Sequence, residues 1–204
     1  MEVRRREETA VSFDGRRVLV ITTNYGTEQD ELEQPVATLH AAGARVTVAA
    51  QKDEPVRTLV SDRRPGDTVI PDGAYTELSA DLFDAVVVPG GTLNADRLRT
   101  DVVAQRLVTE FADAGRTVAA ICHGPWLLVD SGLVRGRRLT SYPSLRADLT
   151  NAGGTWQDRS VVVDDAGGFP LITSRRPADL EPFSDAIIRS LGGSPGEATP
   201  RVGT

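Results

Sequence analysis

The chain has 204 residues, of which 40% are apolar and 25% charged, with a formal net charge of −6 at pH 7 and a pI of about 5.0. That length and apolar content suit one domain with a packed core. The acidic balance argues against nucleic acid as the main partner, because phosphate binding needs a basic face, and no apolar run approaches the roughly 20 residues of a membrane span.

The first 14 residues are charged and aperiodic, and read as a flexible arm without the apolar stretch of a signal peptide. Arg17 to Thr22 is a continuous apolar run, as in a buried parallel strand. A helix over 28–42 follows, with Gly43 as its cap, and then a second strand from Arg45 to Ala50. This spacing is a βαβ unit. Residues 51–82 are polar and rich in turn formers, with short strands at Val56 to Val60 and Thr68 to Ile70. Phe83 to Val88 is another buried strand and runs into Pro89-Gly90-Gly91. Residues 94–114 read as helix with a break near Thr100-Asp101. Thr117 to Ile121 is a strand, followed by a helix that ends near Gly132. Residues 143–152 look helical, Trp156 to Val163 and Leu171 to Ser174 look like strands, and a last helix runs from about Pro177 to Leu191. The Gly-, Pro- and Ser-rich tail, 193–204, reads as disordered. The alternation predicts a single domain over 15–192. Its expected architecture is a doubly wound, flavodoxin-like, mostly parallel sheet with helices on both faces.

Cys122 is the only cysteine, and His123 beside it is one of two histidines. One cysteine forms no internal disulfide, which fits a cytoplasmic location. The thiol falls where a strand turns into a helix, with Pro125 suited to the first helical turn. That turn is where α/β enzymes place a nucleophile. The alternative is a small buried core residue. A helix N-terminus and a neighbouring imidazolium both favour thiolate. The backbone N–H groups of Gly91 and His123 are candidates for an oxyanion hole. Turns at Thr23 to Glu28, Pro89 to Thr92 and Cys122 to Gly124 all end strands and can meet at one site. Class I glutamine amidotransferases share this architecture but take their histidine from far downstream of the cysteine. Here none follows His123, and His40 lies in the first crossover helix. One cysteine and two histidines without common spacing make a poor metal set, so no metal or cofactor is expected.

The stretch Ala120-Ile121-Cys122-His123-Gly124-Pro125 resembles the elbow of the PfpI-type intracellular proteases of the ThiJ/PfpI superfamily. Glu28-Gln29-Asp30-Glu31-Leu32 with Pro35, Val88-Pro89-Gly90-Gly91, Ala95 to Arg99, Ser141-Tyr142-Pro143 and Ser174 to Leu180 resemble other segments of the family, in order, over roughly 16–192. The resemblance implies that Cys122 is the nucleophile and His123 the base or orienter. It also implies that Glu28 is the acid bonded to the sulfur, with Gly90 and Tyr142 at the pocket. Asp96 falls where protease-type members carry a glutamate that completes a triad across a subunit interface. A homodimer or hexamer is implied as well.

The expected function is that of a cysteine-dependent stress-response hydrolase. It would act on a small carbonyl compound, a glycated substrate or a peptide, as a deglycase, glyoxalase or peptidase. The alternatives are a redox sensor or chaperone that uses Cys122 as an oxidisable thiol, and a protein that only binds a small metabolite.

Overall fold

A computed structural model describes residue 13 and residues 15–192; apart from Phe13, which is buried, the arm and tail expected from sequence lie outside the described residues. In chain order the elements are β1 (Arg17–Thr22), β2 (Tyr25–Glu28), α1 (Gln29–Ala41), β3 (Arg45–Ala50), β4 (Val56–Val60), β5 (Arg64–Val69) and β6 (Gly73–Ala74). There follow β7 (Ala85–Val88), α2 (Thr92–Leu98), α3 (Val102–Asp113), β8 (Thr117–Ile121), α4 (Pro125–Asp130) and β9 (Arg138–Leu139). The chain ends with α5 (Arg146–Asn151), β10 (Thr155–Trp156), β11 (Val161–Asp164), β12 (Leu171–Ser174) and α6 (Leu180–Ser190).

The main sheet has seven strands in the order β11-β12-β8-β7-β1-β3-β6. All its pairings are parallel except the β11–β12 hairpin. This is the doubly wound, mostly parallel α/β sheet expected from the alternation of elements. Residues of β7 and β8 are buried throughout, because helices cover both faces and leave no strand position in water. Successive residues of β1 face opposite ways. Leu19 and Ile21 join Phe111 of α3, Leu127 of α4 and Leu149 of α5 on one face. Val18 and Val20 join Leu32 of α1 and Phe183 and Ile187 of α6 on the other. Each such side chain contributes about 1.5–3 kcal/mol when taken fully out of water. From β1 the chain builds outward to β3, then returns to lay β7 against the other side of β1. The crevice at the carboxyl ends of β1 and β7 is therefore the place where such a sheet binds ligands.

Two local expectations change. The run from Trp156 to Val163 is not one strand: β10 pairs with β9 in a separate two-stranded sheet, and β11 pairs with β12. The hydrogen bond from Trp156 Nε1 to Ser141 Oγ, 3.0 Å, holds the first half away from the second. The polar segment after β3 is also more ordered than its composition suggested. Its β4–β5 hairpin joins β2 in a three-stranded sheet of its own.

A buried ion pair ties β9 to the β11–β12 hairpin. Arg137 Nε lies 2.8 Å from Asp164 Oδ1, with side chains only 6% and 1% exposed. Arg137 also donates to the carbonyls of Asp164 and Phe169. Burial alone would raise the Asp164 carboxyl, but hydrogen bonds from Arg137 and Arg138 outweigh it and hold the group well below the usual carboxylate range. Such a group stabilises the fold above its ordinary pKa near 4 and loses that contribution as pH falls further. Replacing Asp164 by Asn leaves the Arg137 guanidinium buried without its counter-charge. The expected loss is about 3–5 kcal/mol, read as a lower urea midpoint at neutral pH, with the gap to wild type closing below pH 4.

Candidate active site

Cys122 sits between β8 and α4 with φ = +61°, a left-handed backbone that strains any residue with a Cβ. Its own amide and carbonyl are both used: Cys122 N donates to the Ser174 carbonyl at 3.0 Å, and Tyr142 N donates to the Cys122 carbonyl at 2.8 Å. The turn is closed by Gly124 N donating to Ile121 O at 2.8 Å. The backbone is thereby fixed on both sides, and Sγ projects into a cavity of about 290 Å³. Glu28, Glu31, Ser61, Asp62, Tyr142, Arg176 and Pro177 line it with Cys122.

The sulfur's surroundings come from three segments. His123 Nδ1 lies 3.2 Å from Sγ, and its Nε2 lies 3.4 Å from Ser144 Oγ. Tyr142 stacks on the imidazole at 4.8 Å between ring centroids. The backbone amides of Gly91 and His123, the two groups expected as an oxyanion hole, both favour the thiolate form of Cys122. Gly90 must lack a side chain: a Cβ there would lie 2.5 Å from Glu31 Oε2 and 2.7 Å from Cys122 Cβ. Gly91 carries φ = +85° and packs directly on the backbone of Gly26 and Glu28.

The acid beside the sulfur is Glu31, not Glu28. Glu28 caps the start of α1, and its carboxylate turns away to accept from Ser61 N at 2.9 Å and Asp62 N at 3.1 Å. Glu31 lies one helical turn further on, on the buried face with Leu32, Pro35 and Leu39. Its Oε2 accepts from Gly90 N at 2.9 Å, and its carboxyl group meets the thiol. Its other oxygen, Oε1, is buried and has no hydrogen-bond partner among the described residues. The signal for it was an acid at a position where the helical repeat demands an apolar residue.

Sequence reasoning also missed the hairpin tip. Ser61 and Asp62 have φ of +55° and +54°, the signature of a type I′ turn, but without the Asn-Gly or Asp-Gly pair that usually announces one. The two amides held by Glu28 secure this unfavourable backbone, and Asp62 then accepts from Thr92 N at 2.8 Å and Thr92 Oγ1 at 2.7 Å. The tip is thus latched across the cavity to the start of α2. Asp96 is exposed on α2 and makes no hydrogen bond or ion pair among the described residues. Among the described residues His40 bonds only the Ala44 carbonyl. Among the described residues no group of three or more His, Cys, Asp or Glu side chains is placed to hold a metal ion.

Burial sets the protonation. It pushes the Glu31 carboxyl up to about 8 against the pull of its hydrogen bonds from Cys122 and Gly90. Burial also pushes the Cys122 thiol well above its ordinary value; the charge and hydrogen bond of Glu31 add to this, and the two amides only soften it. Burial lowers His123, with Asp62 opposing. In the free site near neutral pH, all three groups are therefore mainly uncharged. The helix N-terminus alone does not make a standing thiolate. A neutral imidazole beside a neutral thiol can instead take the proton as the sulfur attacks.

Fold and elbow define a doubly wound α/β protein with a cysteine-centred site. The model of the DJ-1/PfpI family matches residues 16–190, and the chain belongs to that family. It is 38% identical over 175 residues to a protein named a deglycase from Pyrococcus abyssi, covering 86% of this chain and 99% of the relative. It is 35% identical over 166 residues to protein/nucleic acid deglycase 2 of Escherichia coli, covering 81% and 92%. The crystal structure of Drosophila melanogaster DJ-1beta superposes with a TM-score of 0.79 at 32% identity, covering 88% of this chain and 92% of that one. No helix among the described residues is long and apolar enough to cross a membrane.

A raised carboxyl pKa contributes stability fully below its unfolded value near 4.5 and loses it as pH climbs through about 8. Glu31→Gln keeps the shape of the neutral acid and cannot ionise. Urea unfolding at pH 5 and pH 8 should show wild type losing a few kcal/mol more than the variant over that interval. Equal losses would mean that Glu31 is already ionised in the fold.

Proposed function

We propose that the protein is a cysteine-dependent enzyme of the deglycase type, in which Cys122 Sγ attacks the carbonyl carbon of a small aldehyde or of its adduct with an amine or thiol. The observation that carries this reading is the 3.2 Å contact between Sγ and His123 Nδ1 at a strained elbow. His123 accepts the thiol proton as the S–C bond forms. The Gly91 and His123 amides meet the oxygen on which negative charge develops. Glu31, protonated, donates a proton or hydrogen bond within the same water-poor space. The deglycase names of several relatives favour glycated substrates, and a cavity of about 290 Å³ suits a small molecule or a side-chain end. An Asp96 carboxylate from a second copy could still meet His123 Nε2, which has only the long Ser144 contact among the described residues.

Cys122→Ser should lower removal of methylglyoxal from a glycated thiol or amine by at least about 100-fold, because a hydroxyl beside a neutral imidazole is a far weaker nucleophile. Clearance equal to wild type would overturn the assignment.

A second reading, an oxidisable thiol, is favoured by one specific feature. Among the described residues Glu31 Oε1 has no hydrogen-bond partner, and a protonated carboxyl there could donate to an oxygen of a sulfinate on Cys122. Mild peroxide should then add two oxygens to Cys122 in intact-mass measurements, and Glu31→Gln should shift the product toward more oxidised forms. A thiol left untouched by millimolar peroxide removes this reading.

A further inference from the structure

The geometry points to a substrate that carries a carboxylate close to its reacting carbonyl, with Arg176 as the residue that selects it. This rests on the reading of Cys122 as nucleophile. Three acids line the pocket, and each is engaged by the protein itself rather than by Arg176. Glu28 has both oxygens bonded to the amides of Ser61 and Asp62. Asp62 has both oxygens bonded to Thr92. Glu31 is buried and protonated.

Arg176 is the opposite case. It lines the same cavity with its side chain about half exposed. Its nearest acid is Asp179, at 3.9 Å, beyond hydrogen-bond reach. Both Asp179 oxygens are already taken by Arg175, through Nε at 2.9 Å and Nη2 at 3.1 Å. Among the described residues no acceptor is bonded to the Arg176 guanidinium. A planar donor fork with no bonded acceptor therefore stands in the lining of the pocket, and such a fork matches a carboxylate in two-point geometry. The fork and the sulfur line one cavity of about 290 Å³, a span suited to one small molecule. A short oxo acid fills that span with its carbonyl carbon at Sγ and its carboxylate at Arg176. A neutral dicarbonyl leaves the fork unused.

The single cysteine allows a direct test on the full-length protein. Iodoacetate and iodoacetamide have nearly the same shape and differ by a carboxylate against an amide. Each alkylates in the same way: the sulfur forms an S–C bond, iodide leaves with the electrons of the C–I bond, and the thiol proton passes to His123 or water. The ratio of the two rates cancels any change in thiol reactivity common to both. Arg176→Gln should lower the iodoacetate-to-iodoacetamide ratio about tenfold, as for loss of a charged hydrogen bond, and Arg176→Lys should keep most of it. In a second arm, glyoxylate should protect wild-type Cys122 from iodoacetamide at lower concentration than glycolaldehyde does, and that order should be lost in Arg176→Gln. An unchanged ratio in Arg176→Gln, or equal protection by the two aldehydes in wild type, overturns the selection by Arg176 and leaves the nucleophile standing. Labelling by neither reagent in buffer, with both labelling in urea, overturns the nucleophile itself.

Discussion

Glu31 is fully buried and faces the Cys122 thiol, and a bare carboxylate there would be several kcal/mol less stable than in water. The fold avoids that by keeping the carboxyl protonated and by directing the Gly90 amide onto Oε2. Much else follows from this contact. Gly90 must be glycine, because a Cβ would occupy the space of the Glu31 carboxyl and of Cys122 Cβ. The turn after β7 must hold its left-handed Gly91, whose own amide is one of the two that favour the thiolate. The helix after β2 must begin where it does, so that its second acid, one turn in, lands on the sheet's carboxyl edge.

Three non-glycine residues among those described have a left-handed backbone: Ser61, Asp62 and Cys122. All three line one cavity. Each is strained by about 1–3 kcal/mol, and each is held by hydrogen bonds that leave its backbone little choice. At Cys122 the surrounding strands supply them; at the hairpin tip Glu28 and Thr92 do. Glu28 thus belongs to the site without touching the sulfur: it secures the wall against which a substrate would rest.

The central strands were legible because parallel strands buried on both faces read as continuous apolar runs, as at Arg17 to Thr22 and Thr117 to Ile121. The elbow was legible because a cysteine, a histidine, a glycine and a proline meet at a strand-to-helix turn. The acid was misplaced by one helical turn, and the reason is physical. Glu28 and Glu31 are both acids in or near the first turn of α1, where the macrodipole welcomes either, and only the buried face separates them. The hairpin tip escaped because its turn uses Ser-Asp, so its strain and its latch exist only in three dimensions. The free fork of Arg176 could not be seen either, since it depends on Arg175 having already taken Asp179.

The groups around the sulfur come from far apart in the chain: Glu31 from α1, Ser61 from the hairpin, Gly91 from the turn after β7, and Ser174 from the end of β12. None can find the others until the nonlocal parallel pairings of β1, β7, β8 and β12 have formed, and such pairings are slow to close. During that interval the thiol is an ordinary, fully accessible cysteine, and its surrounding cage does not yet exist. The one cysteine therefore changes chemical character at the moment the sheet closes, which makes its reactivity toward bulky thiol reagents a built-in report of folding and of every later opening of the native state.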